Sequence, residues 1–144
     1  MSSSGCRPVP LTAVALVAVA LATVGQAAGA LAPAPAVHAV DWRTSPLDLD
    51  LRGINGARFC FQCPPGRVLP GQVTGSGPYT DSSSICGAGV HAGVIDAAHG
   101  GIVTIEVRPG ESRYRGTLKH YVQSNSYDGF WIGSFLVIAG AAGH

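Results

Sequence analysis

The sequence is short of charge: 12% of its 144 residues are Asp, Glu, Lys or Arg. Arg7 is the one basic residue before Arg43, and beyond Arg7 eight basic residues face eight acidic ones. With no basic stripe the chain is a poor match for nucleic acid, and with no acidic block it has no solvating tail. Its main apolar run, Leu11 to Val24, falls short of the ~20 residues that cross a bilayer. Only four cysteines are present. Cys60 and Cys63 have no second close pair of ligands to complete a zinc site. There is no Gly-x-Ser-x-Gly elbow and no internal repeat. No metal and no cofactor is expected.

What the N-terminus has is the layout of an export signal. Arg7 precedes the apolar run, and small residues follow it. Gly25-Gln-Ala27, Ala28-Gly-Ala30 and Val37-His-Ala39 offer cleavage sites, the last two preferred. An uncleaved anchor is the alternative, and it is the one route to a membrane. Gly25 and the stretch Ala32-Pro-Ala-Pro35 speak against it. The chain then divides into a signal peptide with an Ala/Pro-rich tail (1–39), a lead-in (40–56), one domain (57–139) and a flexible C-terminus (140–144). Export, to the periplasm or the exterior, permits disulfides. Cys6 leaves with the signal, so Cys60, Cys63 and Cys86 remain, an odd number.

Within the domain, Arg58–Cys63 reads as a strand that stops at Pro64-Pro65-Gly66. Gly71–Tyr79 is a Gly-rich turn region. Thr80, Asp81 and Ser82–Ser84 offer helix N-caps, because their side-chain oxygens accept from the first free helical N–H groups. The spacing predicts a helix over about Ser83 to Ala97, with Cys86, Val90 and Val94 on one face. Gly87, Gly89 and Gly93 are poor helix formers, so other backbone is expected to approach the helix closely. Ile102–Arg108 alternates as a strand, Pro109-Gly110 turns the chain, Tyr114–Val122 is a partner strand, and Phe130–Ile138 is a final buried strand. The fold class is α+β, a single domain.

Cys60-Phe-Gln-Cys63 has redox spacing but lies in a strand, away from any helix N-terminus that would lower a thiol pKa. His91 sits among small apolar residues and reads as structural. At i, i+5 its ring and the Cys86 thiol point along different helix faces. Asp81 reads as a helix cap, and Asp96 and His99 as solvated. Phe130, Trp131 and Phe135 are expected to build core. Tyr79, His120, Tyr121, Asn125 and Tyr127 lie in polar stretches and are the contact candidates, since exposed Tyr suits shallow recognition. A small hydrolase using His91 or His120 is the alternative, but no carboxylate or hydroxyl stands at convincing spacing from either ring.

The stretch Tyr79-Thr-Asp-Ser-Ser-Ser-Ile-Cys-Gly-Ala-Gly-Val-His-Ala-Gly-Val-Ile95 closely resembles the signature helix of the LCCL domain family. The likeness continues through Gly100-Gly101, Arg108-Pro109-Gly110, Tyr114-Arg-Gly116, Trp131 and Gly133-Ser-Phe135, and upstream to Cys63-Pro64. The resemblance implies a central helix wrapped by twisted, mainly antiparallel sheets. It implies an extracellular module without established enzymatic activity, binding an envelope or extracellular glycan, a lipid of the lipopolysaccharide kind or a protein. With export, it also implies a Cys63–Cys86 disulfide, which leaves Cys60 free or in an intermolecular pair. Two positions depart from the family pattern. Arg67 stands near a usual second cysteine. His120-Tyr121 replaces the usual Asn-Gly, so a glycine turn is expected to be lost and the geometry of Lys119 to Val122 is left open.

Overall fold

The computed structural model describes residues 5–10 and 36–139. The apolar run of the expected signal, its cleavage points up to Ala30 and the C-terminus from 140 lie outside the described residues.

Eight elements follow one another: β1 (Val37–Ala39), β2 (Arg58–Cys63), β3 (Tyr79–Thr80), α1 (Ile85–Ala92), β4 (Gly101–Glu111), β5 (Leu118–Lys119), β6 (Val122–Gln123) and β7 (Trp131–Ile138). Five strands form one sheet in the order β1-β2-β4-β7-β3, and β5-β6 is a separate hairpin. Only β1 against β2 is parallel; β2–β4, β4–β7 and β3–β7 are antiparallel. This is an α+β domain with one helix set against mainly antiparallel sheet.

Alternation decides the faces. Phe59 pairs with Ile105, Phe61 with Val103, and Val107 with Phe135. Cross-strand partners share a face, and all six of these are buried together in one core with Ile85, Cys86 and Ala88 of the helix. The helix glycines are closely approached, but by side chains rather than by backbone: a Cβ on Gly89 would stand 2.5 Å from Val103 Cγ2 and one on Gly87 2.8 Å from Val73 Cγ2. The β5–β6 hairpin covers a second side of the helix.

Several boundaries differ from expectation. The helix starts where Ser84 Oγ accepts from Gly87 N–H at 2.9 Å, but it ends at Ala92. Gly93 adopts φ +84° and donates to Val90, while Val94 donates to Gly89. This pair of bonds closes the last turn and turns the chain away. Asp81 is not the cap: its carboxylate accepts from Arg52 Nε at 2.7 Å and from Trp131 Nε1 at 2.8 Å. Pro109-Gly110 does not turn the chain, because β4 runs on to Glu111 with Pro109 opposite Gly133. Phe130 is 66% exposed rather than core. Residues 40–56 pack closely onto the helix start: Ser84 Oγ donates to Trp42 O, Ile85 N to Thr44 O, and Leu51 is fully buried.

Candidate recognition site at the helix C-terminus

The site grows from the way the helix ends. Its last carbonyls lack intrahelical donors. The Gly89 and Val90 carbonyls are served by Val94 and Gly93, and the carbonyl of His91 is served from the hairpin, where His120 Nδ1 approaches it at 2.8 Å. A carbonyl only accepts, so Nδ1 carries the proton and donates. Gly93 makes the approach possible, since a Cβ there would meet the His120 ring at 2.5 Å.

His120 and Tyr121 are the two central residues of the β5–β6 turn, with φ +49° and +64°. Two consecutive left-handed residues joining antiparallel strands make a type I′ turn, the geometry Asn-Gly favours. The turn is therefore kept without its glycine. L-residues pay for this conformation with roughly 1–2 kcal/mol each. Tyr121 recovers nothing by packing: it is fully exposed, at 103% of the reference area. Between this tip and the helix end lies a cleft of about 600 Å³, lined by Val68, Val90, Val94, Ile95, Val122 and Ala97, with Gly93, Asp96, His120 and Tyr121. Asp96 Oδ1 accepts from His99 N–H and pairs with its ring, and these bonds hold the exposed carboxyl below its usual range.

Behind the cleft, His91 is fully buried. Its Nε2 faces the Thr117 carbonyl at 3.0 Å and Thr117 Oγ1 at 3.3 Å, so Nε2 carries the proton. Nδ1 then accepts from the Tyr79 hydroxyl at 2.8 Å. Burial pushes the imidazole pKa down, partly offset by the Thr117 bond, and pushes the Tyr79 phenol up to about 12. Both ring nitrogens are used, which leaves no lone pair for base chemistry.

The contact candidates divide. His120 and Tyr121 meet at the cleft. Tyr79 does not belong with them: it is 2% exposed, stacked in the core against Phe135 and edge-on to His91. A partner cannot reach it. Asn125 is exposed, its backbone bonded to Val73 and Gly75. Tyr127 is 41% exposed and sits edge-on to Trp131. Neither lines the cleft. The aliphatic lining was missed as a site. In the sequence Val90 and Val94 read only as a helix stripe, and nothing local points to Val68.

The cysteines are all paired. Cys63 and Cys86 are joined, Cα to Cα 5.7 Å. Cys60, expected free or intermolecular once Cys6 left with the signal, is instead bonded to Cys6. The physical reason is its face. Cys60 pairs with Thr104 on the side of the sheet away from the helix, where residues 5–10 lie with Arg7 N–H donating to Arg58 O. Two disulfides call for an oxidising compartment outside the cytosol.

The LCCL domain family model matches residues 40–133, well over half of the chain. The chain belongs to the LCCL domain family. The match begins at residue 40, so it takes in the stretch that packs on the helix start. Among curated proteins, this LCCL domain is 41% identical to vitrin of Bos taurus over 88 residues, which is 60% of this chain and 13% of vitrin. It is 40% identical to cochlin of Bos taurus over 82 residues, 56% of this chain and 14% of cochlin. It is 38% identical to discoidin, CUB and LCCL domain-containing protein 2 of Rattus norvegicus over 69 residues, 46% of this chain and 9% of that protein. The matched stretch thus spans about one-seventh or less of each of these relatives.

Proposed function

We propose that this LCCL domain is an exported, non-catalytic recognition module whose contact surface is the Tyr121 tip and the cleft beside it. One observation carries the reading. Tyr121 holds a strained left-handed conformation while its whole ring stands in solvent. Strain that returns no packing is a mark of a functional position, and an aromatic ring beside an aliphatic cleft suits a partner with an apolar face.

Three partner classes fit this surface: a glycan stacked on Tyr121, a lipid of the lipopolysaccharide kind with its chain in the cleft, or an envelope or extracellular protein. The aliphatic lining favours the second and third. The relative whose name joins discoidin, CUB and LCCL supports reading the domain as a module. Catalysis by His91 is disfavoured by its saturated ring. Catalysis by His120 is disfavoured because its one hydrogen bond among the described residues goes to a main-chain carbonyl.

The test is an array of glycans, lipids and envelope proteins probed with the domain displayed multivalently, so that avidity raises capture above that of a single copy. Capture that drops on Tyr121→Ala and survives Tyr127→Ala supports the proposal. Capture indifferent to Tyr121→Ala, or turnover of a hydrolase substrate abolished by His120→Ala in a folded protein, refutes it.

A further inference from the structure

Every hydrogen bond between the β5–β6 hairpin and helix α1, among the described residues, ends on His91. Thr117, at the foot of the hairpin, takes the Nε2 proton through its carbonyl and its hydroxyl. His120, at the tip, donates to the His91 carbonyl. On the helix side one residue therefore fastens the hairpin at both ends, beside the packing of Val122 in the core and the Ser76 bonds to Thr117 and Ser124, and it ties together the two walls of the cleft, Val90 and Gly93 on one and His120, Tyr121 and Val122 on the other.

That fastening is built for a neutral ring. A second proton on His91 would turn Nδ1 into a donor facing the Tyr79 O–H. Tyr79 would have to turn its own proton away, and its hydroxyl has no other partner among the described residues. Of the groups that face the ring, only the Thr117 carbonyl favours a charge, and burial outweighs it. Tyr79 on β3 stays protonated, while Lys119 and His120 on the hairpin both oppose a positive charge there. Toward the helix, β4 and β7 present Val103, Ile105, Val107 and Phe135, which do not titrate. No carboxylate is among the groups that act on the ring.

We propose that the β5–β6 hairpin is an acid-released clasp, with His91 as the sensor, so that acidification opens the cleft. A charged His91 must reach water, and the hairpin is the small element whose Thr117 meets its Nε2. Its strands are two residues each, and a two-stranded ribbon is marginal on its own. The five-stranded sheet on the other side stays intact. The consequence for ligand release rests on the binding role of the cleft proposed above; the opening itself does not.

Amide hydrogen exchange on the full chain, without ligand, tests the opening separately from binding. After correction for intrinsic rates, protection of amides 117–125 should fall about tenfold or more between about pH 7.5 and about pH 5, while β2, β4 and β7 stay protected. The fall should track titration of the His91 ring in the same NMR samples. His120→Asn should leave it in place, and His91→Gln should abolish it. Hairpin protection that holds until the whole sheet exchanges overturns the proposal. So does a transition that disappears with His120→Asn, which would make His120 the sensor. Should His91→Gln fail to fold, the match between the His91 titration and hairpin opening decides the matter in the unmodified chain.

Discussion

His120 Nδ1–H donates to the His91 carbonyl oxygen at 2.8 Å, joining a turn in strained backbone to the end of a helix that needs a donor. The bond explains why a histidine can stand where the family has asparagine. It satisfies a carbonyl that the helix leaves open, and its net worth of roughly 1 kcal/mol offsets much of the left-handed conformation. His120→Ala should therefore cost about 1–2 kcal/mol, losing the bond and keeping the strain. Urea unfolding of the two proteins side by side measures it. An unchanged midpoint would show that the bond contributes nothing.

His91→Ala should be far more damaging, by about 3 kcal/mol or more, because a buried ring and the hydrogen bonds at both its nitrogens vanish together. Tyr79→Phe should cost less, about 1–2 kcal/mol, leaving Nδ1 without a donor. Thermal melts rank the pair, and the reverse order would contradict the tautomer assigned to His91.

The pH dependence of stability follows from the sign of the same shift. Burial lowers the His91 pKa in the folded state below its ordinary value of 6.5. The unfolded chain then binds the extra proton first as pH falls. Stability is complete above about pH 6.5 and declines below it until the folded pKa is passed. Asp41 and Asp96, both lowered from 3.8, act in the same direction further down, losing their contribution below about pH 4. Denaturant midpoints at a series of pH values should fall in these two steps, and His91→Gln should remove the upper one.

Asp81 ties the lead-in stretch to β7. Arg52 reaches it with two nitrogens, at 2.7 and 2.9 Å, and Trp131 with its indole N–H at 2.8 Å. The carboxylate is almost fully buried, whereas Arg52 is a third exposed. Asp81→Asn should thus destabilise by about 2–3 kcal/mol, toward the low end for a broken buried pair because Arg52 can turn to water. Calorimetry reads the loss, and a Trp131 indole resonance that does not move would contradict the contact.

Much of this was legible in the sequence, and the physical reasons differ by level. Alternating Phe59, Phe61, Val103, Ile105 and Val107 fixed two neighbouring strands, because period-two burial leaves a direct trace. The signature from Tyr79 to Ile95 named the family and with it the helix-and-sheet arrangement. The end of the helix was misplaced by five residues because the apolar stripe continues past Gly93, and only the left-handed backbone there reveals the stop. Tyr79 looked exposed from its Gly, Ser and Pro neighbours, but its place opposite Phe135 in the sheet is a long-range fact. The same holds for Arg52 and Asp81, 29 positions apart, and for Cys6 beside Cys60. His120 and Tyr121 stood out as a departure from Asn-Gly. That they keep the turn rather than lose it took the φ angles to see.

If the Tyr121 tip is the contact surface proposed above, the turn tolerates its strain because the ring is needed for recognition. Tyr121→Gly separates the two. Glycine takes the left-handed conformation freely, and a fully exposed ring gives up no packing. Melting and multivalent array capture should be measured on the same two preparations. Tyr121→Gly should be more stable by about 1 kcal/mol and capture its partner at least about tenfold less well. A variant that melts higher and binds as the parent does would contradict it, leaving Tyr121 a strained residue with no part in binding.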